Sequence, residues 1–186
     1  MALRRQLHLW CGLSACLLLP LAGCQQAALR YNTRYLALLK QRNPSILPIP
    51  VLGVAASQLR DSWGEPRSGR RRHKGIDILA PRHTPIRAAT EGVVETKGMR
   101  GLGGQVVTVI GPGGYRHYYA HLEDYGPQAV GDWVDAGEIV GTVGTSGNAA
   151  VSPPHLHYGL YTPGWKAINP YPFLRKYREP AILVAP

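Results

Sequence analysis

From Val51 onward, short apolar runs rich in β-branched residues alternate with clusters of Gly, Pro and Asp. The runs are GVVET (92–96), QVVTVI (105–110), YRHYYAHL (115–122), EIVGTV (138–143) and HLHYGLY (155–161). Their length and composition predict strands joined by tight turns. No stretch beyond residue 60 carries a helical period. The expected fold is therefore mainly β: a compact antiparallel domain over 51–175, either a two-sheet sandwich or an open barrel, with a short N-terminal helix. That helix is predicted over 25–42, where Leu29, Tyr35, Leu36 and Leu39 form a partial stripe between basic residues. Asn43-Pro44 should end it. Prolines 44, 48 and 50 then make an extended linker. The helix is expected either as a stalk or packed on the domain, and residues 176–186 as a tail.

The first 23 residues have a different pattern. Arg4 and Arg5 precede an apolar run from Leu9 to Leu21, too short to span a bilayer comfortably, followed by Ala22-Gly23-Cys24. This is the layout of a secretory signal peptide. Leu-Ala-Gly-Cys resembles the lipobox of bacterial lipoproteins, which implies cleavage before Cys24, lipidation of that cysteine and attachment to a membrane through the lipid. Gln25 in place of Asp after the cysteine points to the outer membrane, facing the periplasm.

Cysteine usage then narrows the chemistry. Of the three cysteines, Cys11 and Cys16 leave with the leader and Cys24 is the anchor, so a disulfide or a Cys-based zinc site is excluded. The formal net charge is +10, and loss of Arg4 and Arg5 leaves the chain strongly basic. In the envelope that charge points to cell-wall polymer or lipid head groups and not to nucleic acid.

The histidines supply the candidate site. Side chains two apart share one face of a strand, so His155 and His157 point together and Leu156 points away. His73 and Asp77, four apart around Gly75 in RRRHKGIDI, share a face in an extended segment. His121 in YYAHL comes from a third run. Imidazole nitrogens and a carboxylate without thiolates suit a catalytic zinc, which takes three protein ligands and leaves one position open.

Three ordered blocks, H-x-x-x-D at 73–77, YYAHL at 118–122 and H-x-H at 155–157, resemble the lysostaphin-type, or LytM-domain, zinc metallopeptidases of family M23. APRHTPIRAATEGVVETKG (80–98), GDWVDAGEIVGTVGTSGNAAVSPPHLHY (131–158) and INPYPFL (168–174) resemble the connecting segments, so the likeness covers about 51–175. It implies His73, Asp77 and His157 as zinc ligands. It implies His121 and His155 as catalytic histidines beside a metal-activated water, with their individual roles open. The implied activity is hydrolysis of peptide cross-links in peptidoglycan, and the alternative is a catalytically silent regulator that activates other wall hydrolases. Cell-division or wall-synthesis proteins are the expected protein partners. Pro153 departs from the family, which commonly has Gly there, and the segment before His73 is longer and more basic than usual.

Around this set, Arg70, Arg71 and Arg72 are expected to meet carboxylates of wall peptides, since Arg pairs with them bidentately. His117 has the strand parity of His121 and so could line the cleft, although an exposed strand position is the simpler expectation. His83 reads as a solvated loop residue. GDWVDAGEIVGTVG also resembles a biotinyl or lipoyl carrier hairpin, with Lys97 near a turn, but that reading leaves the histidines without a purpose.

Overall fold

The computed structural model describes residues 31–179, so the signal segment, Cys24 and the end of the tail lie outside the described residues. The chain divides into two compact units after Leu36. In the first, residues 31–36 are helical; in the second, residues 37–40 are helical and everything else described follows. We call this helix, 31–40, α1. The expected stripe put Leu39 inward, whereas Leu38 is the leucine that is fully buried and Leu39 is partly exposed.

The strands are β1 (Ile76–Leu79), β2 (Pro85–Arg87), β3 (Gly92–Arg100), β4 (Gly104–Ile110), β5 (Arg116–Ala120), β6 (Leu122–Tyr125), β7 (Trp133–Val134), β8 (Ile139–Val143), β9 (His155–Tyr161) and β10 (Ala167–Ile168). All described pairings are antiparallel. They form a large sheet in the order β1-β9-β5-β4-β3-β7, with β10 added to β9, and a smaller sheet in the order β2-β8-β6. A single turn of helix, α2 (Tyr171–Leu174), follows. The fold is mainly β, as expected, and its two sheets do not close into a barrel.

Both sheets contribute to one apolar cluster: Ile76, Ile78, Leu156, Tyr158 and Leu160 from the large sheet meet Ile86, Leu122, Val140 and Val143 from the small one. In β9 the even-numbered residues 156, 158 and 160 all point into this cluster, which fixes 155 and 157 on the opposite face. The Pro-rich stretch, expected as a linker, is not a free tether. Leu47, Ile49 and Val51 are buried in the same cluster, Leu47 N–H donates to the Phe173 carbonyl, and Val51 bridges Ile86. Prolines suit such a strap, because they satisfy an extended path without needing a donor partner.

YRHYYAHL was expected as one strand. It breaks at His121, which takes a left-handed φ of 62° between β5 and β6. The break reverses the parity argument for His117, which is neither exposed nor in the cleft. His117 is fully buried on the core side of β5, opposite Leu160, with Nδ1 2.7 Å from the Tyr158 hydroxyl. Its Nε2 and the Thr90 hydroxyl both lie over Gly111, where a Cβ would sit 2.9 Å and 2.5 Å from them, so only glycine fits there. Lys97 lies inside β3 opposite Val107, and its ammonium donates to the Gly126 and Gln128 carbonyls; it is not a carrier lysine at a hairpin tip.

Burial pushes the His117 pKa down to about 3 from 6.5, so the ring stays neutral in the fold. Between those values the unfolded chain binds a proton that the folded chain does not, so this histidine's effect on stability sets in as pH falls below 6.5 and grows down to about 3. Urea unfolding as a function of pH should show a shallower acid loss in His117→Gln, by up to about 1.4 kcal/mol per pH unit. Identical slopes in both proteins would reject this assignment.

Candidate metal centre

The site is built on the β1–β9 ladder, where Asp77 faces His157 and Leu79 faces His155. His73 arrives from the loop before β1, held by its own N–H to the Glu65 carbonyl. Gly75 lets that loop pass closely: a Cβ there would lie 2.5 Å from the Tyr158 carbonyl and 2.8 Å from the His157 ring. The glycine in HKGID is therefore required by the approach of His157 itself.

Three donor atoms meet at one point. His73 Nε2 is 2.8 Å from His157 Nδ1, and Asp77 Oδ1 is 3.1 Å from each. Zinc–ligand bonds of about 2.0–2.1 Å in tetrahedral geometry place ligand atoms about 3.3 Å apart. The observed triangle is close to that, and slightly tight. These three residues are the described group that could hold a metal ion. Two further rings flank it. The His121 ring lies 5.0 Å from that of His155 and 5.9 Å from that of His157, and His155 Nε2 is 3.9 Å from Asp77 Oδ1.

Backbone carbonyls set the tautomers. The Nδ1–H of His73 donates to Ser62, that of His121 to Ser146 and that of His155 to Pro153, at 2.7, 2.9 and 2.8 Å. A carbonyl can only accept, so in all three rings the neutral form keeps its lone pair at Nε2. In His73 that lone pair is in the donor triangle. Burial pushes the His121 pKa down to about 4, with the neighbouring His157 adding to the effect, so the ring is neutral near pH 7. Burial disfavours the Asp77 charge, but hydrogen bonds from His157, His73 and Arg67 outweigh it and hold the carboxyl well below the usual carboxylate range.

The structure brings all five expected site residues together. Two depressions, of about 510 Å³ and 470 Å³, meet over them and share Arg67, Asp77, His121 and Asn148. Of the arginine run, Arg71 and Arg72 line the larger depression, held to Ser68 and to the Gly64 carbonyl. Arg70 is exposed and lines neither depression, so its expected role is not supported. Two residues were missed by sequence reasoning. Ser62, fully buried, accepts Asp77 N–H on its hydroxyl as well as His73 Nδ1–H on its carbonyl. Arg67 donates to Asp77 Oδ2 at 2.5 Å, on the oxygen facing away from the donor triangle. Only the basic character of the segment before His73 hinted at Arg67, and nothing in the sequence marked Ser62.

The profile of peptidase family M23 matches residues 71–170. The chain belongs to this family. It is 37% identical over 131 residues to an L-Ala–D-Glu endopeptidase of Bacillus subtilis, covering 64% of this chain and 40% of that one. It is 41% identical over 100 residues to a DD-carboxypeptidase/endopeptidase of Neisseria meningitidis, covering 54% of this chain and 22% of that one. The chain thus spans less than half of these relatives. Among solved structures, the catalytic domain of lysostaphin from Staphylococcus simulans superposes with a TM-score of 0.58 at 29% identity, covering 65% of this chain and 96% of that domain. Family M23 is zinc-dependent in general, and two imidazoles with one carboxylate are a donor set that fits zinc.

Arg67 orients the carboxylate without touching the donor triangle, the kind of support whose loss typically lowers metal affinity 10–100-fold. Competition with a chromophoric chelator should show Arg67→Gln binding zinc about tenfold or more weakly than the wild type. Equal affinities would show that the ion pair is incidental.

Proposed function

We propose that this chain is a zinc-dependent endopeptidase that hydrolyses peptide bonds of bacterial peptidoglycan, with His73, Asp77 and His157 as zinc ligands and His121 and His155 as catalytic residues. The observation that carries this reading is the donor triangle with two flanking Nε2 lone pairs, each fixed by a backbone carbonyl on the far side of its ring. The activities of the relatives, an L-Ala–D-Glu endopeptidase and a DD-carboxypeptidase/endopeptidase, support the substrate class.

Zinc, when bound, supplies Lewis acidity, lowering the pKa of a coordinated water toward about 7 and polarising the scissile carbonyl. The chain's own residues do the rest. His73 Nε2 and His157 Nδ1 lie side by side, 2.8 Å apart and each 3.1 Å from Asp77 Oδ1, and Asp77 brings the negative charge that keeps both rings oriented. The His121 and His155 Nε2 atoms divide two tasks: one accepts the proton of the attacking water, and in its protonated form a histidine at this position stabilises the oxyanion of the tetrahedral intermediate and protonates the leaving amine. Tyr118 lines the larger depression with its ring edge-on to His157, 6.0 Å between centroids. Burial pushes its hydroxyl up to about 12, so it stays protonated and can donate to a substrate carbonyl.

The test separates the ligand pair from the catalytic pair. Purified variants should show full zinc content with hydrolysis of defined muropeptides lowered at least 100-fold in His155→Ala and His121→Ala. His157→Ala should lose the metal. Loss of zinc in His155→Ala would invert the roles within the H-x-H pair. Zinc-loaded wild type that cuts no muropeptide would instead favour the silent regulator.

A further inference from the structure

A further pocket of about 490 Å³ is lined by His73 but by neither catalytic histidine. Two tryptophans, Trp63 and Trp165, line it together with Arg72, Lys74 and Lys166. None of the residues discussed above explains this pairing of indoles and cations. Arg72, His73 and Lys74 line both this pocket and the larger depression over the metal site, so one extended ligand could occupy both.

Trp165 is held in place at some cost. It sits in the turn between β9 and β10 with φ 59°, in the left-handed region, where a bulky residue is an outlier. Such strain persists only where surrounding contacts over-determine it. Those contacts are present. The Arg116 guanidinium lies 4.7 Å from the centre of the indole and is fixed in turn by Glu95 and by the Pro163 carbonyl, while the Tyr161 ring packs at 5.5 Å. With all this bracing the indole remains 49% exposed. A large flat apolar group, strained, clamped and half-open to solvent, is a preorganised platform and not a packing residue. Among the described residues, the ammonium groups of Lys74 and Lys166 have no acidic partner, so the pocket combines flat apolar faces with free positive charge.

We propose that this pocket is a subsite for the glycan strand of the wall polymer: an amino-sugar ring lies against the Trp165 indole, with the acidic peptide stem that it carries running past Lys74 and Lys166 into the metal cleft. The proposal rests on the peptidoglycan reading above. A pyranose ring offers an apolar C–H face that matches an indole, with hydroxyl and amide groups at its rim for water and the cations. Anionic groups of the stem match the lysines and Arg72. The shared wall at His73 places the sugar beside the peptide that is cut, as the covalent structure of such a substrate demands.

Two ligands separate sugar recognition from peptide recognition: a disaccharide-peptide muropeptide and the same stem peptide without sugar. Binding is measured by calorimetry on the zinc-loaded His155→Ala protein, where neither ligand would be turned over. The muropeptide should bind about tenfold more tightly than the bare peptide, the size expected for one well-packed aromatic contact. Adding Trp165→Ala should erase that advantage, and Trp165→Tyr, which keeps a flat ring, should restore most of it. Thermal unfolding confirms that the variants are folded, and Trp63→Ala provides a second variant that leaves the β9–β10 turn untouched. Equal binding of the two ligands by the parent protein, or an advantage that survives both Trp→Ala changes, overturns the proposal. The hydrolase reading fails separately: a wild type that binds the muropeptide through Trp165 without cutting it keeps the glycan subsite and loses the enzyme.

Discussion

Asp77 stands opposite His157 across the β1–β9 ladder, and this register holds the centre together. A slip of one residue would turn Asp77 toward the core and bring Ile76 or Ile78 to the outer face, because strand side chains alternate with a period of two. What prevents the slip is the other face of the same two strands. Ile76, Ile78, Leu156 and Tyr158 are fully or almost fully buried in the apolar cluster. Shifting them would expose large side chains whose burial contributes about 1.5–3 kcal/mol each. The hydrophobic core therefore fixes the polar site indirectly, by fixing which face each residue occupies.

The second constraint is the set of carbonyls behind the rings. Ser62, Ser146 and Pro153 each take an Nδ1–H, so the useful lone pairs of His73, His121 and His155 are aimed before any metal or substrate arrives. Pro153 supplies its carbonyl to the His155 Nδ1–H. What His155 needs from that position is a carbonyl at a fixed place, and proline's locked φ supplies it. Ser62 does two jobs from one buried position, orienting His73 with its carbonyl and capping the Asp77 amide with its hydroxyl. Arg67 completes the set from the solvent side of the carboxylate.

Much of this was legible in the sequence because it depends on short-range rules. The pairing of His155 with His157 follows from parity alone, and so does the inward turn of Leu156. The predicted runs match β3, β4, β8 and β9 to within a few residues at their ends. What escaped depends on conformations and contacts that no local pattern encodes. Parity carried His117 toward the cleft because nothing in YYAHL announces that His121 leaves the strand at a positive φ. The prolines at 44, 48 and 50 fit a linker, yet the leucine and isoleucine between them pack in the core, which only the folded partners reveal. Arg67 looked like one more cation in a basic segment, and Arg70 looked equivalent to Arg71 and Arg72. Their difference lies in how the loop turns at Arg70, whose φ of 62° takes it away from its neighbours' path.

The division of labour between the two halves of H-L-H is the claim on which the chemistry stands, and the metal's own surroundings test it most directly. X-ray absorption at the zinc edge, on the zinc-loaded chain, counts and types the ligands. The geometry predicts two imidazole nitrogens and two oxygens, one from Asp77 and one from water, at about 2.0–2.2 Å. A shell with three or four imidazoles, which would have to recruit His121 or His155, or the loss of one imidazole from the shell in the His155→Ala variant, would contradict it.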